Sequence, residues 1–283
     1  MTIALDTAIH NIINHADQNA ITFAQYMDLA LYHPEQGYYN RKQTDIGKQG
    51  DFFTASSLGV DFGELLAEQL LQMQTVLQLE LFQIVEMGAG KGHLAKDILH
   101  YITATYPEKA KQIEYIIIEK SSILRQQQQK ELANLTSVNI RWCEWDDLKG
   151  ESISGCFLSN ELLDAFPVHR VVVQAGKLRE KFVTTDTKSS TGLKEVIGEL
   201  SNSNLKTYFE KLGIELSNYP EGYSTEVNLQ MLDWLNALQS KLKLGYILTV
   251  DYGYPAAKYF HPQRSDGTLQ AYFQHRRHND PYV

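Results

Sequence analysis

Three glycines at alternate positions, Gly88, Gly90 and Gly92, follow the apolar run FQIVEM, and the segment after them has helical periodicity. Strand, tight turn and helix in that order make a corner at which a nucleotide can bind. Glycine reaches backbone angles closed to other residues and lets a ligand approach the main chain without meeting a Cβ. The helix that follows points its unpaired N–H groups into the same space. The spacing narrows the ligand. A phosphate-cradling P-loop needs Gly-Lys-Ser/Thr, whereas Gly92 is followed by His93; a dinucleotide fingerprint needs G-x-G-x-x-G, whereas this is G-x-G-x-G. Glu86, two residues before the first glycine, suits a ligand with a cationic amino-acid part, and S-adenosylmethionine carries an ammonium and a sulfonium. A glycine-rich turn that binds nothing looks the same, so the corner alone leaves the ligand open.

Other polar groups fall at the ends of apolar strands. Glu119 closes the run EYIII; in a doubly wound sheet that position lies beside the glycine turn, where a carboxylate can accept hydrogen bonds from both ribose hydroxyls. An ordinary strand-end charge in solvent is the alternative. After the next strand, Glu144, Asp146 and Asp147 crowd a turn that could present an acceptor to an adenine amino group, with Asp146 as the candidate. Solvated loop acids would read identically. A fourth strand ends SNELLDAFP, which places Asn160, Glu161 and Asp164 where open α/β sheets face their ligand crevice. Asn160 could instead cap the next turn. Asp251 closes the last core strand, and His275 and His278 are weak evidence for a metal, so no metal site is expected.

The elements that must position these groups follow from periodicity. Residues 3–15 and 22–33 read as amphipathic helices, the second capped by Thr22. Residues 33–54 form a long loop rich in glycine and aromatics, the kind that either closes over a site or packs on itself. A helix over 58–77 leads into the opening strand, and helices and strands then alternate to Asn160. From Val168 to Thr185 the period shifts to two, a hairpin about Ala175-Gly176. Residues 224–242 read as one long amphipathic helix, 245–251 as a strand, and 254–283 have no clear period. The expected organisation is helices and an aromatic lid over 1–80, a ligand-binding core over 81–165 and 223–283, and an insertion over 166–222 on the substrate or partner side.

Composition sets outer limits. The chain has 283 residues, enough for one elaborated domain or two small ones. No apolar run approaches the ~20 residues of a membrane-spanning helix, so no membrane insertion is expected. The net charge of −8 opposes general affinity for nucleic acid and mildly favours a cationic substrate. Cys143 and Cys156 lie in strand-like apolar runs and read as buried thiols rather than a disulfide or metal ligands. With no transit or signal peptide in view, a reducing, cytoplasmic location is the expectation.

Taken together, VEMGAGKGHLA, IIIEKS, NELLDAFPVHR, VDYGY and GTLQAYFQHRRH, with GYY and GDFFT before them, resemble the MidA family of S-adenosylmethionine-dependent methyltransferases, from about Phe23 to the last residue. The resemblance implies the class I methyltransferase fold, a Rossmann-like doubly wound α/β sheet, and relation to mitochondrial members that take arginine on a respiratory complex I subunit in assembly of that complex. By the same resemblance Gly88, Ala89 and Gly90 line the cofactor, Glu119 meets its ribose, and Asp51, Phe52 and Thr54 close over it. Asn160 and Glu161 border the methyl group. Class I folds finish with a sixth and a seventh strand, whereas five core strands are counted here, so the C-terminal strands are expected to be missing and one sheet edge unpaired.

The function expected is methyl transfer from S-adenosyl-L-methionine to a protein substrate, an arginine side chain in particular, with no indication of oligomeric state. A guanidinium has a pKa above ~12 and must be held by carboxylates that receive its proton; Glu161 and Asp164 are the acids named, with His169 and Asp251 in reserve. Two other classes compete. An NAD-dependent oxidoreductase is disfavoured by the glycine spacing, and a catalytically idle S-adenosylmethionine-binding assembly factor would keep the fold and bind a partner through the hairpin insertion.

Overall fold

The structure is a computed structural model that describes residues 3–40, 59–273 and 276–282. The chain opens with α1 (Ile3–His15), a short β1 (Ala20–Thr22) and α2 (Phe23–Tyr32). Thr22 starts α2 as expected: its hydroxyl accepts from the Gln25 N–H at 3.1 Å, and Gln25 Oε1 accepts from the Thr22 N–H at 2.9 Å. This reciprocal cap satisfies donors that the first turn leaves without intrahelical partners. Next come α3 (Asp61–Leu77), β2 (Phe82–Met87), α4 (His93–Thr105), α5 (Pro107–Ala110), β3 (Ile113–Ile118), α6 (Ser122–Glu131), β4 (Asn139–Trp142) and β5 (Ile153–Asn160). The strands β6 (His169–Gln174), β7 (Lys177–Thr185) and β8 (Leu193–Gly198) precede α7 (Asn204–Leu212), β9 (Ser224–Val227), α8 (Leu229–Lys241) and β10 (Leu242–Val250). The last elements are α9 (Ala256–Tyr259), β11 (Ala271–Phe273) and β12 (Arg276–His278).

Two compact units divide the chain: Lys42–Asp164 with Trp234–Asp251, and Met1–Arg41 with Ala165–Asp233 and Tyr252–Val283. The first holds a parallel sheet in the order β10-β5-β2-β3-β4, the five core strands anticipated from sequence. Successive side chains of β2 face opposite ways. Phe82 and Ile84 pack with Tyr115, Ile117 and Cys156 beneath Leu70 of α3 and Ile98 of α4, while Val85 joins Ile116, Phe157 and Leu238 of α8. Burial on both faces is why β2 and β3 read as nearly unbroken apolar runs. Both cysteines are free and buried, as their apolar settings indicated. Strand order runs outward from β2 in both directions, so the crevice of an open α/β sheet lies at the carboxyl ends of β2 and β5. Among the described residues β10 pairs on one side only, with β5.

The second unit is built on an antiparallel sheet, β1-β7-β6-β9, with β8 added to β7. Ala175 and Gly176 both take positive φ, 50° and 66°, the two-residue turn whose twist matches its flanking strands. Leu5, Ile9, Phe23 and Tyr26 pack with Val183 and Tyr282 in one cluster of this unit. The grouping differs from the expected organisation: residues 1–41, 223–233 and 252–283 go with the inserted strands, and α3 goes with the parallel sheet. The reason is pairing that sequence separation conceals, since β1 adds to β7 and the Ser224 N–H donates to the Ser265 carbonyl at 2.7 Å. The helix expected from Ser224 begins later. Ser224–Val227 forms β9 against β6, and Asn228 Oδ1 accepts from the Met231 N–H at 2.8 Å to start α8.

Candidate active site

The glycine corner lies at the carboxyl end of β2. Gly88, Gly90 and Gly92 have φ of 69°, 54° and 84°, all in the left-handed region that favours glycine. Their surroundings differ. A Cβ on Gly88 would sit 2.8 Å from Leu162 Cδ1, and one on Gly92 would sit 3.3 Å from Gln128 Cα. Among the described residues, a Cβ on Gly90 would meet no atom within 4 Å. The middle glycine therefore stands clear of the described residues, while the outer two make room for the protein's own β5 edge and α6.

Glu119 follows β3 and is tied on both oxygens. Oε1 accepts from the Ser121 N–H at 2.9 Å, and Oε2 accepts from Gln128 Nε2 at 3.1 Å. The same Nε2 donates to the Gly90 carbonyl at 2.8 Å, so one amide links the carboxylate to the corner. Burial raises the Glu119 pKa, against the hydrogen bonds that pull it down. Glu86 is buried at 2% exposure on the face of β2 shared with Phe82 and Ile84, and Tyr115 donates its hydroxyl to Oε2 at 2.9 Å. Burial pushes the Glu86 carboxyl up to about 7, the Tyr115 hydrogen bond pulls it down, and the nearby Glu119 charge adds to the rise. At neutral pH Glu86 is therefore part protonated, and a hydroxyl already occupies one oxygen of the acid expected to face a cationic ligand.

At the end of β5, Asn160 pairs with Val250, and the Glu161 N–H donates to the Val250 carbonyl at 2.8 Å. Glu161 has φ 49°, a left-handed conformation unusual for a residue with a side chain. The turn is held from β10: Asp251 Oδ2 accepts from the N–H groups of Leu163 (2.8 Å) and Asp164 (3.3 Å). Asp251, a reserve acid from sequence, thus caps the turn that carries the others. Asn160 Oδ1 is buried with no hydrogen-bond partner among the described residues, an acceptor awaiting a donor. Glu161 is half-buried and Asp164 exposed.

The remaining sequence candidates are Asp146, His169 and the loop residues Asp51, Phe52 and Thr54. Asp146 is exposed in the turn after β4, where Glu144 and Asp147 are occupied with each other through the Glu144 N–H and Asp147 Oδ2 at 2.8 Å. His169, the other reserve, belongs to the second unit: its Nδ1 bonds Glu180 Oε1 at 2.7 Å, and Glu180 Oε2 accepts from the Ser201 N–H at 2.6 Å. That buried pairing makes His169 part of the antiparallel sheet's own polar network. Asp51, Phe52 and Thr54 lie outside the described residues. Sequence reasoning missed Gln128, Leu162 and Tyr115. Gln128 stood in the run Gln126–Gln129, where only the helical face turned toward the corner would have singled it out.

The features brought together in the parallel unit fit S-adenosylmethionine: an open approach at Gly90, a carboxylate with acceptor capacity left at Glu119, and an orphaned buried oxygen at Asn160. A doubly wound sheet with these groups at its carboxyl edge has the fold of a class I, S-adenosylmethionine-binding methyltransferase. The chain belongs to the family described as "Putative S-adenosyl-L-methionine-dependent methyltransferase", whose pattern it matches over residues 65–283. The resemblance to the MidA family holds, and S-adenosyl-L-methionine is the cofactor of this family. The chain is 28% identical over 288 residues to the protein arginine methyltransferase NDUFAF7 homolog, mitochondrial, of Drosophila melanogaster, covering 93% of this chain and 62% of that one. It is 26% identical over 284 residues to the Caenorhabditis elegans homolog, covering 91% and 62%. The chain thus spans about 62% of the length of these two curated relatives. A superfamily member from Burkholderia thailandensis, in a crystal structure bound to S-adenosyl-homocysteine, is similar with a TM-score of 0.85 and 29% identity, over 99% of this chain and 70% of that one.

Proposed function

We propose that the protein transfers a methyl group to a nitrogen of a protein side chain, arginine being the best-supported acceptor. The observation that carries this reading is the contact between the β5 edge and the glycine corner: Leu162 closes on Gly88, so Asn160, Glu161 and Asp164 stand within a turn of the cofactor corner. The names of the Drosophila and Caenorhabditis relatives, protein arginine methyltransferases, support arginine.

S-adenosylmethionine, when bound, supplies a methyl group on a sulfonium. The rest falls to the chain's own residues. Glu119 accepts hydrogen bonds from a ribose, and the open side of Gly90 admits the ligand to the main chain. Asn160 Oδ1, which has no donor from the described residues, accepts one from a cationic nitrogen. Glu161, fixed by the turn that Asp251 caps, binds the acceptor cation, orients one nitrogen and receives its proton. Asp164, exposed, attracts the cation.

Glu161→Gln tests the assignment. The variant should bind S-adenosyl-homocysteine with wild-type affinity by calorimetry and lose methyl transfer by about 100-fold or more, the scale of a lost general base. Unaltered turnover would remove Glu161 from the mechanism.

A further inference from the structure

Gln128 is completely buried in α6, yet each of its polar atoms is committed. Its Nε2 donates to the Gly90 carbonyl (2.8 Å) and to Glu119 Oε2 (3.1 Å), and its Oε1 accepts from Trp142 Nε1 at 3.0 Å. An indole nitrogen only donates. The amide therefore has one workable orientation, oxygen toward Trp142 and both N–H groups toward the oxygens of Gly90 and Glu119. β4, through Trp142, thereby fixes an atom pair beside the corner.

The consequence for Glu119 is geometric. A carboxylate offers about four lone-pair sites. Ser121 takes one on Oε1 and Gln128 one on Oε2, and the Lys120 backbone N–H also donates to the carboxylate, so three donors pin its plane. A carboxylate held in a fixed plane presents its remaining acceptor edge to vicinal hydroxyls in one orientation. A lysine at 128 would neutralise the carboxylate, and a glutamate would repel it; the neutral amide supplies two donors and leaves the charge intact. The last glycine of the corner serves the same arrangement. A Cβ on Gly92 would press within 3.3 Å of the Gln128 Cα and Cγ, so Gly92 makes room for this residue's backbone and stem.

We propose that Gln128 is the positioning residue for ribose recognition: joined to Trp142, Gly90 and Glu119, it holds the Glu119 carboxylate so that its remaining acceptor edge selects a ribose diol over a deoxyribose. This rests on cofactor binding at the corner, as proposed above, and assigns the third glycine of G-x-G-x-G to the packing of α6 rather than to the ligand.

The test is calorimetry with S-adenosyl-homocysteine and its 2′-deoxy and 3′-deoxy analogues. In the wild-type protein the loss of either hydroxyl should weaken binding about 10- to 100-fold, as for a hydrogen bond to a charged acceptor. Gln128→Met keeps the length and removes the donors. It should weaken S-adenosyl-homocysteine and barely change the deoxy analogues, so that the ratio collapses to a few-fold. Trp142→Phe keeps both donors and removes only their anchor, and its ratio should fall between; it carries the test by itself if Gln128→Met fails to fold. A purely structural role would weaken all three ligands equally, and an unchanged ratio in either folded variant overturns the proposal while leaving cofactor binding intact. Absence of wild-type binding to S-adenosyl-homocysteine would instead sink the functional reading, and this inference with it.

Discussion

Replacing Glu86 with glutamine should change how stability depends on pH. The carboxyl is buried and accepts from the Tyr115 hydroxyl, and its pKa is raised from 4.5 to about 7. A group whose folded pKa exceeds its unfolded value binds more protons when folded between the two, so its favourable contribution is complete below about pH 4.5 and is lost as pH rises through about 7. With 1.36 kcal/mol per pKa unit, the penalty accumulated between pH 5 and pH 8 is about 2–3 kcal/mol. Urea unfolding at pH 5, 6, 7 and 8 measures it. The wild-type curve should fall relative to Glu86→Gln by about that amount across the series, with the variant gaining most at pH 8, because a neutral amide has no charge to desolvate. Parallel curves for the two proteins would refute the reasoning, since they would mean that Glu86 titrates alike folded and unfolded.

Two further substitutions separate the corner from the turn beside it. Gly90→Val places a β-branched side chain at φ 54°, where no atom of the described residues lies within 4 Å of a Cβ, so stability should drop by only about 1–2 kcal/mol while binding of S-adenosyl-homocysteine disappears from calorimetry. Intact binding would show that the corner is not the ligand site. Asp251→Ala removes the acceptor for the Leu163 and Asp164 N–H groups and should cost about 1–2 kcal/mol in urea unfolding. Methyl transfer should fall with cofactor affinity retained, because the turn carrying Glu161 loses its cap; equal loss of both would place Asp251 in the ligand site itself.

What the sequence made legible was local. The glycine corner, the Thr22 cap, the Ala175-Gly176 hairpin and the five parallel strands each rest on residues a few positions apart, where spacing and turn chemistry dictate geometry. The positions of Glu119, Asn160 and Glu161 at the carboxyl edge followed from the architecture itself. What stayed hidden depends on partners distant in the chain. Nothing near Gln128 announces Gly90 or Trp142, and nothing near Asp251 announces the turn at Leu163. Ser224–Val227 read as helix because four residues that alternate weakly gain strand character only from β6. The polar residues of α6 likewise gave no hint that one glutamine is fully buried.

The central claim is that these residues perform methyl transfer to protein, and transfer of labelled methyl from S-adenosyl-L-methionine into a cell lysate tests it most directly. The account predicts label on a discrete protein band, recovered as methylarginine after acid hydrolysis and absent with Glu161→Gln. Label at background with the wild-type protein, under conditions where calorimetry finds the cofactor bound, would contradict it and leave a binding protein without transfer.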